Sequence, residues 1–124
     1  MEDRRRILVV DDQESMRSLL KDMLDVIGYD VMLAEGGEEA LHLMESNQFD
    51  LVLTDLNMPG MGGKQFLDEL AANNGIQTKI VIVSGYSKFD SFTLSSQARV
   101  SANLVKPFNS KDLLGTIQSV LHPK

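Results

Sequence analysis

Arg6-Ile7-Leu8-Val9-Val10-Asp11-Asp12 is an apolar run of four residues that ends in two carboxylates. The pattern returns at Leu51-Val52-Leu53-Thr54-Asp55, where a third carboxylate closes the run, and at Leu104-Val105-Lys106, where a cation does. Short segments that are apolar without alternation are what the strands of a parallel sheet require, because both faces of such a sheet are covered. The carboxyl ends of parallel strands emerge on one edge, the edge at which ligands bind in open α/β sheets. The spacing therefore predicts that Asp11, Asp12, Asp55 and Lys106, far apart in the chain, meet at one place.

Working outward, five strand candidates recur, at Arg6 to Val10, Asp30 to Ala34, Leu51 to Thr54, Lys79 to Val83 and Asn103 to Val105. Helical patterns lie between them. Met16, Leu19, Leu20, Met23, Leu24 and Ile27 fall at the three-four spacing of a single buried stripe, and Gly28 stands where a C-terminal cap is expected. Further helices are predicted around Ala40-Leu41-Met44, around Phe66-Leu67-Leu70, from Lys88 to Ala98, and around Leu113 to Leu121. Asn109 is the predicted N-cap of the last, with Asp112 three residues on. The Lys88 to Ala98 segment is rich in hydroxyls that compete for backbone hydrogen bonds, so its helix is expected to be short or mobile. Strand alternating with helix five times predicts a single doubly wound α/β domain spanning residues 1–124. Its five parallel strands are expected in the order 2-1-3-4-5, with two helices on one face and three on the other.

Composition narrows the function. The 124 residues carry a net charge of −6 and no cysteine, which excludes a thiolate metal site or cysteine nucleophile. An acidic chain of pI near 4.8 is a poor nucleic-acid surface, so no direct nucleic-acid partner is expected. No apolar run reaches the roughly 18 residues of a membrane span, so no membrane partner is expected either, and the expected location is cytoplasmic. Arg4-Arg5-Arg6 reads as a solvated arm, His42 and His122 as surface residues, and the methionines as packing.

The acidic set points to a divalent cation. Three crowded carboxylates would repel and take up protons, whereas a bound hard cation lets them stay ionised and brings Lys106 an anion to meet. Mg²⁺ and a phosphoryl group fit that description. Singly, each residue has a plainer role: Asp11 or Asp12 as the cap of the first helix, Asp55 as a turn residue, Lys106 as a surface lysine.

The segment Asp55-Leu56-Asn57-Met58-Pro59-Gly60-Met61-Gly62-Gly63 resembles the receiver domains of two-component response regulators. The likeness extends to Val9-Val10-Asp11-Asp12, Gly28-Tyr29, Gly37-Glu38-Glu39-Ala40-Leu41, Ser84-Gly85 and Lys106-Pro107-Phe108, and so runs the length of the chain. It implies that Asp55 accepts a phosphoryl group from a phosphohistidine on a histidine kinase or histidine phosphotransfer protein, switching the binding of a downstream output protein or domain. It implies also that Asp12, Asp55 and the backbone carbonyl of Asn57 hold Mg²⁺, with Asp11 acting mostly through metal-bound water. Lys106 and the Ser84 hydroxyl would each meet a phosphoryl oxygen, Tyr86 would flank the site, and the Lys106-Pro107 peptide would be cis. Such a domain catalyses only its own phosphorylation and dephosphorylation, so no enzyme activity on other substrates is expected.

Two positions depart from the family pattern. Asn103 stands where an aromatic residue is usual, and Arg99-Val100 where Gly-Ala is usual. With no ring at Asn103 to exchange between two positions, the response is expected to pass through Tyr86 and the fourth helix. Two other functions remain open at this level: a phosphorylation-independent adaptor of the same fold, and a Mg²⁺-dependent aspartyl phosphohydrolase. The second ordinarily needs a carboxylate two residues after the nucleophile, where this chain has Asn57.

Overall fold

Apolar continuity does produce strands buried on both faces. The computed structural model describes residues 5–55, 65, 66, 68, 69, 78–84, 100–105 and 108–122, with the backbone alone at Ser84, Val100, Ser101 and Asn103. The described elements run β1 (Arg6–Val10), α1 (Glu14–Ile27), β2 (Asp30–Ala34), α2 (Gly37–Ser46), β3 (Leu51–Asp55), β4 (Lys79–Ser84), β5 (Val100–Val105) and α3 (Ser110–Leu121). All strand pairs are parallel, and their order is β2-β1-β3-β4-β5. Every residue of β3 is buried, as are the last four of β1.

The two faces carry separate cores. Ile7, Val9, Leu51, Leu53, Val81, Val83 and Leu104 pack with Leu20 and Leu24 of α1 and with Leu113, Ile117 and Leu121 of α3. Leu8, Val10, Val52, Ile80 and Ile82 pack on the other face with Ala40 of α2, Phe49 and Phe66. The alternation of side chains along a strand makes this division, odd residues of β1 and β3 to one face and even residues to the other. Residues 65, 66, 68 and 69 are helical, in the region of the predicted third helix. The predicted fourth helix, Lys88 to Ala98, lies outside the described residues.

Helix ends follow local chemistry. Gly28 adopts φ +110°, the left-handed conformation that only glycine enters without strain. Its N–H donates to the Asp25 carbonyl at 3.0 Å and that of Tyr29 to the Leu24 carbonyl at 3.3 Å, the paired bonds of a Schellman termination. At Asn109 the side chain accepts from the Asp112 N–H at 2.7 Å, and the Asp112 carboxylate accepts from the Asn109 N–H at 3.3 Å. This reciprocal capping box satisfies donors that the first turn of α3 leaves without partners.

Four expectations need correction. The stripe of α1 is narrower than its spacing predicts: Leu19, at the rim, is 46% exposed and Ile27, in the last turn, 38%. Strand β5 begins at Val100 rather than Asn103, with an irregularity that sets Ile80 opposite Val100 but Val81 opposite Ala102. Strands β3 and β4 each run one residue further than predicted, to Asp55 and Ser84. Finally, Arg5 and Arg6 are not a solvated arm. Arg6 Nε donates to Asp30 at 3.0 Å, the Arg6 N–H to the Asp50 carboxylate at 2.8 Å, and Arg5 lies 4.0 Å from Asp50. These pairs bind the starts of β1 and β2 to the turn before β3, contacts with partners 24 and 44 residues away that local sequence does not reveal.

Among the described residues no helix is long and apolar enough to cross a membrane.

Candidate functional site

Register builds the site. Because Val10 lies opposite Thr54, the next residue of each chain, Asp11 and Asp55, falls side by side at the carboxyl edge of the sheet. Both share the parity of Val9 and Leu53, so both belong to the face covered by α1 and α3. Asp12 follows in the turn into α1. Carboxylate oxygens of Asp11, Asp12 and Asp55 all lie within 4.8 Å of one another. Asp11 is 2% exposed and Asp55 6%, while Asp12 is open to solvent.

Each strand end is held by hydrogen bonds. The Asp11 N–H donates to the Ala34 carbonyl at 3.1 Å, carrying the β1–β2 ladder one residue past the strand. The Asp11 carboxylate accepts from the Gln13 N–H at 2.9 Å, and its backbone carbonyl accepts from Arg17 Nη1 at 2.7 Å. The N-cap of α1 is Gln13, which makes no side-chain capping bond, so neither Asp11 nor Asp12 holds the cap position. At β3 the Thr54 hydroxyl donates to the Asp55 carbonyl at 3.0 Å.

The donor set suits a small hard cation. It is made entirely of carboxylate oxygens, two of them drawn from buried side chains, with no histidine or cysteine among them. Oxygen-only sites of this kind favour Mg²⁺, Ca²⁺ or Mn²⁺ over the softer transition metals. Mutual repulsion at this separation also raises the energy of the metal-free triad relative to one that shares a cation.

Of the remaining sequence-predicted residues, the structure places backbones only in part. Ser84 ends β4 opposite Val105, the last residue of β5, and Val83 pairs with Asp55. Asn103 pairs with Ile82. The side chains of Ser84 and Asn103, and all of Asn57, Tyr86, Lys106 and Pro107, lie outside the described residues. His42 and His122 are exposed, as expected, with His42 Nδ1 3.9 Å from Glu45. Met16, Met23, Met32 and Met44 pack against the two cores.

Sequence reasoning missed Arg17 and Thr54. A faint signal existed for each: Thr54 is the one polar residue between Leu51 and Asp55, and Arg17 is a cation in the first turns after the acidic pair.

Comparison with known proteins agrees with this geometry. Residues 7–118 match the family model of the response regulator receiver domain. The chain is 33% identical to the chemotaxis protein CheY of Pseudomonas aeruginosa over 117 residues, covering 93% of this chain and 94% of that protein. It is 34% identical over 116 residues to the transcriptional regulatory protein CpxR of Klebsiella pneumoniae, covering 94% of this chain but 49% of the regulator. The chain thus spans about half the length of the transcriptional regulators it matches. Among solved structures, the response regulator protein TrrA of Thermotoga maritima, in complex with Mg²⁺-BeF, superposes with a TM-score of 0.83 at 38% identity, covering 94% of this chain and 99% of that one. Parallel order, acidic edge and matched span agree, and the chain belongs to the response regulator receiver domains of two-component systems.

Proposed function

We propose that this receiver domain takes a phosphoryl group onto Asp55 from a phosphohistidine of a histidine kinase or histidine phosphotransfer protein, and that the adduct changes which partner it binds. The observation that carries the reading is the convergence of Asp11, Asp12 and the buried Asp55 at the carboxyl edge of the sheet, the edge at which β5 also ends, one residue before Lys106. A carboxylate oxygen of Asp55 forms a bond to phosphorus as the phosphorus–nitrogen bond to the donor imidazole breaks, and the released imidazole takes up a proton. The product is an acyl phosphate, a covalent carboxylate adduct of the kind other phosphoryl carriers use.

Transfer through a loose, in-line transition state demands positioning and charge neutralisation rather than a strong base. Asp55 is positioned by its place at the end of a strand with neighbours on both sides, which leaves its backbone little freedom. Asp12, Asp55 and the Asn57 carbonyl are the residues that would hold Mg²⁺. Asp11 already has one carboxylate oxygen engaged by the Gln13 N–H, which suits contact through water. Bound there, the cation supplies positive charge to the phosphoryl oxygens. Lys106 would add an ammonium, and the Ser84 hydroxyl a hydrogen bond to the transferred group. That the TrrA relative was solved in complex with Mg²⁺-BeF supports a cation site of this kind.

The test is incubation with a small-molecule phosphodonor and Mg²⁺, followed by intact-mass measurement. The wild-type chain gains one phosphoryl group and the Asp55→Ala variant none. Equal gain by both overturns the assignment.

A further inference from the structure

Thr54 is fully buried, and its neighbours across the sheet are Val10 of β1 and Ile82 of β4. It shares the parity of Val52, so it lies on the face of the Leu8, Val10, Val52, Ile80 and Ile82 core. A hydroxyl in such surroundings costs free energy unless it is hydrogen-bonded, and valine has the same branched shape without that cost. The hydroxyl has a partner: it donates to the backbone carbonyl of Asp55 at 3.0 Å.

The direction of this bond matters. Asp55 has the opposite parity and belongs to the α1 and α3 face, so the Thr54 side chain and the Asp55 carboxylate lie on opposite sides of the sheet. Thr54 therefore acts on the site only through the backbone. A peptide group is planar and rigid, so holding the Asp55 carbonyl oxygen holds the whole peptide joining Asp55 to Leu56. That peptide adjoins the Cα that carries the acceptor carboxylate.

We infer that Thr54 is a positioning residue, whose buried hydroxyl fixes the carbonyl of Asp55 and with it the backbone from which the acceptor carboxylate projects. The inference rests on the proposed reading of the acidic site. At β1 the equivalent strand-end carbonyl, that of Asp11, is held by a side chain too, Arg17 at 2.7 Å. The two acidic strand ends are thus each fixed from outside the carboxylate cluster.

The experiment compares the full chain with Thr54→Val, which keeps the shape and loses the donor, and Thr54→Ser, which keeps the donor. Calorimetric titration with Mg²⁺ is expected to show affinity about tenfold weaker in Thr54→Val, the scale of losing a group that orients a metal ligand. Thr54→Ser is expected to restore most of it. Thermal stability in EDTA should fall modestly in Thr54→Val, which takes that donor away from the Asp55 carbonyl, and less in Thr54→Ser, which keeps it. In EDTA the Asp55 carbonyl carbon and Leu56 amide nitrogen resonances should move in Thr54→Val and much less in Thr54→Ser, a readout independent of metal. Wild-type Mg²⁺ affinity in Thr54→Val, or equal loss in both variants with a lowered melting temperature, overturns the inference. If the wild-type chain itself neither binds Mg²⁺ nor gains a phosphoryl group, the reading of the site fails instead. In that case unmoved Asp55 and Leu56 resonances in Thr54→Val overturn the Thr54 inference as well.

Discussion

Val10 and Thr54 lie directly opposite each other across β1 and β3, and this single register relationship is what sets Asp11 beside Asp55. A slip of one residue would send one of the two carboxylates to the opposite face of the sheet. The burial of both strands on both faces makes such a slip costly, since every apolar side chain of β3 would change cores. The acidic site is therefore held in place by the hydrophobic pattern of the strands that end in it.

Metal affinity should depend more on Asp12 than on Asp11. Asp11 already accepts a hydrogen bond from the Gln13 N–H, whereas Asp12 stands at the exposed mouth of the cluster. We predict that Asp12→Ala weakens Mg²⁺ binding by at least about tenfold and Asp11→Ala by less. Calorimetric titration checks the order, and wild-type affinity in Asp12→Ala would count against it.

Removing one carboxylate should help the metal-free fold. Three carboxylates within 4.8 Å repel one another, and relieving one such partly solvated pair is worth on the order of 1 kcal/mol. The Asp12→Asn variant should melt higher than wild type in EDTA and gain less from added Mg²⁺. A lower melting temperature for the variant in EDTA would show that repulsion is not what limits the metal-free protein.

Gly28 gives a purely conformational prediction. A Cβ built there meets nothing within 4 Å, so Gly28→Ala creates no clash, yet the residue sits at φ +110°. The cost is that of forcing alanine into the left-handed region, about 1 kcal/mol. Urea unfolding should show a lower midpoint with an unchanged slope.

Tyr29 links stability to alkaline pH. Burial raises its phenol pKa above the ordinary 10.0, and the positive charge of Arg5 offsets this only in part. The folded state therefore holds its proton more tightly than the unfolded chain does. Its contribution is fully present below the unfolded pKa and is lost as pH rises through the folded one. Wild-type stability should fall as pH climbs past about 10, and Tyr29→Phe should flatten that part of the profile.

Much of the molecule is written locally in the chain. Runs such as Ile7 to Val10 and Leu51 to Leu53 could be read as doubly buried strands because burial on both faces demands apolar residues at every position. Gly28 and Asn109 marked helix ends because left-handed backbone and an N-cap acceptor are requirements of single residues. The three carboxylates of the candidate site were legible for the same reason, Asp11 and Asp12 standing just after one apolar run and Asp55 closing another.

What the tertiary structure alone decided involves partners distant in sequence. The pairing of Val10 with Thr54, the irregularity that sets Val81 opposite Ala102, and the ion pairs of Arg5 and Arg6 with Asp50 and Asp30 each join segments that no short window contains. The exposure of Leu19 and Ile27 likewise depends on what packs against α1, not on the spacing of the helix itself. Thr54 shows the difference most clearly. Its sequence neighbours make it one hydroxyl in an apolar strand, and only the packed sheet, which removes water from it and leaves the Asp55 carbonyl within reach, makes that hydroxyl part of the site.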